Sequence, residues 1–140
     1  MIVVLDSDDR SCVDFLAELK ALLAQCHPAP TTLFRLAIEE MEAWLLGDRH
    51  ALLAAYPKAK KDVLARYAQD SICGTWELLA DAIHPGGHAA VHKAGWPLPG
   101  QLKHEWARNI SSGMDVEGNA SPSFGKFRDG LRKLVAHGLV

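Results

Sequence analysis

Hydrophobic residues recur along this chain with two different periods. Ile2, Val3, Val4 and Leu5 form an unbroken, largely β-branched run, the pattern of a strand covered on both faces in a parallel sheet. Phe15, Leu16, Leu19, Leu22 and Leu23 then recur at helical spacing with Glu18 and Lys20 turned away, until HPAP at 27–30 stops the helix. TTLFRLAI at 31–38 reads as a second strand, although Leu36 to Ile38 would also suit a helix. EEMEAWLLGD then places Met41, Trp44 and Leu45 on one helical face and Glu39 and Glu42 on another. The opening third is therefore expected to be βαβα, with a right-handed crossover and with ligand-binding polar groups beyond the carboxyl ends of its strands.

The rest reads as helical. RHALLAAYP is a short amphipathic stretch ended by Pro57, KAKKDVLARYA is another, and TWELLADAI follows with Thr75 placed to cap it. HPGGHAAVHKAGWPLPG at 84–100 is expected to be a loop. QLKHEWARNISSGM aligns Leu102, Trp106 and Ile110. In SPSFGKFRDGLRKLVAHG, Ser121 suits the N-cap and Pro122 the first helical position, while Phe124, Phe127, Leu131 and Leu134 form the apolar stripe and Gly138 the stop. The expected fold class is α/β: a small parallel sheet with a Rossmann-like start over 1–48, then a mainly helical half over 49–140, in one domain of 1–140. There is no internal repeat or low-complexity tail.

With 140 residues, 49% of them hydrophobic, the chain can bury a sizeable core in one domain. A net charge of −2 and a pI near 6.4 argue against a strongly electrostatic, sequence-independent nucleic-acid binder but leave a local basic patch open. Cys12, Cys26 and Cys73 are odd in number and lack paired short spacings, which fits a reducing cytoplasm. The run 2–5 is too short for a signal sequence, and nothing approaches the roughly 20 apolar residues of a membrane helix. A soluble cytoplasmic protein with no membrane contact is expected.

Candidate chemistry begins at Asp6, Asp8 and Asp9, directly after the first strand. Ser7, Asp8, Asp9 or Ser11 could cap the next helix, but capping explains only one acid. A D-x-D spacing lets two carboxylates meet one hard cation, Mg²⁺ or Mn²⁺, so these three aspartates are the candidate metal ligands. Glu39 and Glu40, at the end of the second strand, are the candidate catalytic residues, completing the shell or acting as base. Glu42 is better explained as a solvated helix start, and Trp44 as core. His84, His88 and His92 are four apart, but Pro85, Gly86 and Gly87 interrupt any continuous helix and remove the meaning of that spacing for zinc. Lys58, Lys60, Lys61 and Arg66, and Lys126, Arg128, Arg132 and Lys133, form solvated faces unless the protein binds phosphate. In that case Lys58, Lys60, Lys61, Lys103 and Arg128 are the candidate nucleic-acid contacts. Neither G-x-G-x-x-G nor G-x-x-x-x-G-K-[ST] is present, so no standard nucleotide cradle is visible.

FRLAIEEMEAWLLGD at 34–48, KHEWARNI at 103–110 with Met114 and Asn119, and SPSFGKF at 121–127 together resemble a bacterial family known as domain of unknown function 4276. The resemblance covers most of the chain from Thr31 onward. It implies a Toprim-like fold, a small α/β domain of topoisomerases, primases and certain nucleases, and frequent coding beside ATPases. Toprim domains use a glutamate after an early strand for acid/base work and a D-x-D after a later strand for Mg²⁺, and VVLDSDD resembles the second element through Asp6 and Asp8. The first element would lie upstream of Met1, so the catalytic site is expected to be incomplete here and one edge of the first strand to lack its neighbour, favouring a homodimer or edge-strand association. Two functions follow: Mg²⁺-dependent phosphodiester hydrolysis, nuclease-like, in a defence-type system, with nucleic acid as partner; or a non-catalytic partner of an ATPase with a vestigial acidic site.

Overall fold

The computed structural model describes residues 1–138. Strands β1 (Ile2–Asp6) and β2 (Leu33–Ala37) lie parallel, in a register running from Ile2 opposite Leu33 to Asp6 opposite Ala37. Helix α1 (Cys12–Ala24) connects them, capped by Ser11, whose Oγ accepts the Asp14 N–H at 3.4 Å. There follow α2 (Glu42–Leu46), α3 (Arg49–Ala55), α4 (Lys61–Leu64), α5 (Thr75–Ile83), α6 (Gly87–Ala94), α7 (Leu98–Ser111) and α8 (Pro122–Ala136). The described residues thus form an α/β structure, a two-stranded parallel sheet followed by a mainly helical body.

The core lies inside that helical body. Trp44, Leu45 and Leu46 of α2, Leu52 of α3, Leu64 of α4, Leu79 of α5 and Trp106 and Ile110 of α7 are all buried. The sheet meets this core through Val4 and Ala37, which share one face by strand alternation. The other face carries α1, which buries none of its own residues and leaves Val13 77% and Leu22 60% exposed. The expectation that the first strand is covered on both faces is therefore corrected. Each residue of β1 retains partial exposure, because it has one neighbouring strand and only a loosely packed helix above it.

A buried polar seam joins α2 to α8. The Trp44 ring stacks on Phe127 at 5.0 Å and meets Phe124 edge-on at 5.5 Å. Its Nε1–H donates to Ser123 Oγ at 2.8 Å, while Asn119 Nδ2 donates to the Trp44 carbonyl at 2.8 Å. Asp70 accepts from Ser121 Oγ at 2.7 Å and from the Ser123 N–H at 2.6 Å. Every polar group brought in with the indole thus finds a partner, as burial requires. Ser121 caps α8 and Pro122 opens it, as the sequence predicts, and Gly138 follows the helix in a left-handed conformation at φ 63°.

Two local expectations are corrected. The stretch 84–100 is helical over most of its length, because left-handed Gly86 (φ 84°) and Gly87 (φ 66°) redirect the chain into α6. Asp81 Oδ1 then accepts the His88 N–H at 2.8 Å near the start of that helix. Pro97 and Pro99 flank the start of α7, where a missing N–H costs little. KAKKDVLARYA contributes only the single turn of α4.

Gly47 lies against the Asn119 side chain so closely that a Cβ there would overlap its amide. Gly47→Ala is expected to destabilise the fold by about 1–3 kcal/mol, the usual range for forced overpacking, as read by chemical denaturation. An unchanged midpoint would show that the seam tolerates displacement.

Candidate functional site

The carboxyl ends of β1 and β2 are held together by Ser7 and Glu39. Ser7 is buried, and its Oγ accepts the Glu39 N–H at 2.8 Å. The Asp8 N–H donates to the Glu39 carbonyl at 2.9 Å. Both Asp8 (φ 48°) and Glu39 (φ 60°) are left-handed, a conformation rare for such residues and kept here by these bonds.

That bend aims Glu39 at the start of α5. Its carboxylate accepts N–H groups from Gly74 at 2.7 Å, Thr75 at 2.8 Å and Cys73 at 3.3 Å, and also the Thr75 hydroxyl. Thr75 is the first helical residue and the N-cap position is Gly74, which has no side chain to offer. The expected Thr75 cap is thus replaced by Glu39, which satisfies donors a helix start leaves open. Burial pushes the Glu39 pKa up, but the bonds from Thr75, Gly74 and Cys73 outweigh it and hold the group below its ordinary value.

Glu40 takes a different partner. Lys103 of α7 donates to Glu40 Oε1 at 2.9 Å and lies 3.8 Å from Glu42 Oε2, with its ammonium 5.5 Å from the Trp76 ring centre. Glu40 Oε2 is buried with no hydrogen-bond partner among the described residues. Asp6, at the end of β1, joins this group: burial pushes its pKa up and Glu40 adds to that, while Lys103 and the Met41 N–H oppose. Glu42 is also raised, by burial first, with Lys103 opposing and Glu40 and Asp6 adding. The expectation that Glu42 is a solvated helix-start residue is corrected, since its side chain is only 7% exposed.

Of the three aspartates, Asp8, which is left-handed, and Asp9 line a cleft of about 220 Å³ with Glu39, Glu40, Trp76 and Glu77, while Asp6 lies near enough to Asp8 for that charge to add to its raised pKa. Among the described residues, no three of His, Cys, Asp and Glu converge as a metal-binding group. Nor do the candidate nucleic-acid contacts gather into one patch. Lys58, Lys60 and Lys61 surround the start of α4 and are exposed, Lys103 is tied to Glu40, and Arg128 binds Asp129 at 2.9 Å and the carbonyls of Val116 and Glu117 at 3.2 Å. His84 stands at the end of α5 while His88 and His92 are on α6, so the three share no helix. Among the described residues, no helix is long and apolar enough to cross a membrane.

Lys103, a candidate nucleic-acid contact by sequence, stands among the carboxylates of Glu40, Glu42 and Asp6. The only signal for that placement is Lys103 on the same α7 face as buried Trp106 and Ile110, at spacings of three and seven residues.

Glu39→Ala is expected to lose about 0.5–2 kcal/mol, the range for removing a cap. Because the folded pKa of Glu39 lies below the unfolded one, its contribution is present above the ordinary carboxylate range and disappears as pH falls through the folded value. The difference between wild type and variant in denaturation free energy should therefore shrink in acid; a pH-independent difference would contradict the capping role. Glu42 has the opposite sign, since a raised folded pKa favours folding at low pH and loses that contribution as pH rises through it. Glu42→Gln should raise Tm at pH 7 and by less near pH 4, and a lower Tm at pH 7 would show that the pair with Lys103 dominates.

Comparison with family models, curated proteins and solved structures finds no match for this chain.

Proposed function

We propose that the acidic face at the carboxyl ends of β1 and β2 is a divalent-cation site serving phosphodiester hydrolysis. The observation that carries this reading is Glu40 Oε2, a buried carboxylate oxygen left without a partner beside Asp6 and Lys103. A hard cation such as Mg²⁺ takes oxygen ligands only, keeps several waters and needs as few as one or two carboxylates. Asp6 and Glu40 fit that demand, and Asp8 and Asp9 line the cleft that Glu40 shares. When bound, such an ion would activate water and offset charge on phosphate oxygens.

The chain's own residues supply the rest. Lys103 orients Glu40 through Oε1 and presents its remaining N–H donors for a phosphate oxygen. Glu39 is engaged by α5 and acts as a positioning residue.

A second reading is a non-catalytic partner of another protein, such as an ATPase. It is favoured by the apolar exposure of Val13 and Leu22 on α1 and by Trp96, 83% exposed before α7.

Thermal melts with millimolar Mg²⁺ or Mn²⁺ test the first reading. A ligand at one hundred times its Kd stabilises by about 2.7 kcal/mol, so Tm should rise in the wild type and not in Asp6→Asn or Glu40→Gln. With supercoiled or single-stranded DNA present, wild type should consume substrate and Asp6→Ala should not. No shift with either ion, together with equal DNA loss in both proteins, would leave the interaction reading.

A further inference from the structure

A groove of about 390 Å³ runs along the outer edge of β2, with α1 on one side and α8 on the other. The ladder between the strands begins at Leu33 N–H to the Met1 carbonyl and ends at Ser7 N–H to the Ala37 carbonyl. In a parallel pair this alternation turns the peptide groups of Leu33, Arg35 and Ala37 toward β1 and those of Phe34, Leu36 and Ile38 outward. Two of the outward carbonyls are engaged: Arg35 Nη1 donates to that of Phe34 at 2.7 Å and the Glu40 N–H to that of Ile38 at 2.9 Å. The N–H and carbonyl of Leu36 have no partner among the described residues, although Leu36 is a buried residue. Buried backbone groups are almost always paired, so this edge is shaped for another strand.

The two walls differ in chemistry. Toward α1 the groove is apolar, with Leu16, Phe34 and Leu36. Toward α8 it is positive, with Arg35, Lys126 and Lys133. Arg35 Nε donates to the Lys126 carbonyl at 2.7 Å, and its guanidinium lies across Gly130, where a Cβ would overlap it. None of the three cations pairs with a carboxylate among the described residues, whereas Asp129 is taken by Arg128 and Asp70 by Ser121 and Ser123. Alternate residues of an added strand face opposite walls, so one set would meet apolar side chains and the other positive charge.

We propose that this groove binds an extended acidic segment of a partner protein, apolar and acidic residues alternating, which adds to β2 as a third strand. Main-chain bonds to Leu36 supply the affinity and the two walls the selectivity, as in other β-augmentation sites.

The probe is acetyl-Val-Glu-Val-Glu-Val-Glu-amide, titrated into the isotopically labelled full chain. Amide resonances of Phe34, Leu36 and Ile38 and of 126–133 should move, and exchange of the Leu36 N–H should slow at least tenfold. Lys126→Glu with Lys133→Glu, both exposed, should weaken binding at least tenfold, and so should N-methylation of the peptide. The proposal is overturned by no binding at millimolar peptide, by equal binding of a Val-Lys peptide or the N-methylated one, or by resonance changes away from the groove. A thymidine hexanucleotide that displaces the peptide would make the groove a phosphate site, and a dimer that the peptide dissociates would make its occupant a second copy; either overturns the assignment.

Discussion

The carboxylate of Glu39 ties the end of β2 to the start of α5. The left-handed bend at Asp8 and Glu39 costs backbone energy, and it persists because Ser7 Oγ and four donors from residues 73–75 converge on Glu39. The bond network places α5, which carries buried Leu79 and Ala80, against the strand ends. It also decides where the chemistry can sit. With Glu39 occupied, Glu40 is the carboxylate that turns to Lys103 and Asp6. Two adjacent glutamates of identical chemistry thus acquire different roles from the direction in which the backbone delivers them.

Much of the fold is legible in the sequence wherever a local rule decides the outcome. The β-branched run 2–5, the helical spacing from Phe15 to Leu23 and the Ser121–Pro122 helix start rest on contacts or dihedrals within a few residues, whereas the parallel pairing with 33–37 spans 31 residues and follows from the strand–helix–strand order. The cap on α5 is illegible because its donors and acceptor are 34 to 36 residues apart. The glycine-rich stretch 84–100 misleads because glycine at positive φ starts α6 as readily as it would form a loop. Glu42 misleads because periodicity reports which residues share a face and says nothing about whether α7 will cover that face. In the candidate site, the acids at the strand ends are readable, but which of them converge depends on φ at Asp8 and Glu39, which no motif encodes.

The balance at Lys103 gives the site its character. One ammonium faces Glu40, Glu42 and Asp6 in partly buried surroundings, so full ionisation would leave two uncompensated negative charges at low effective dielectric, where repulsion is costly. Burial is the first cause of the raised pKa values of Asp6 and Glu42, and the neighbouring carboxylates add to it against Lys103. Under the proposed function, a divalent cation would offset the same negative charge. The same cluster without a cation is a structural ion pair with surplus acid, and such clusters contribute little net stability.

Strand β2 links this chemistry to the rest of the surface. Parallel sheets are ordinarily buried on both faces, yet this one has two strands, a core on one side and a helix without buried residues on the other. The outer edge of β2 lies in a groove whose positive side is built by α8, itself fixed in place by the polar seam. Arg35 binds the α8 backbone from the same strand that ends two residues before Glu39. The groove and the acidic face thus adjoin the same strand, one along its edge and the other at its carboxyl end.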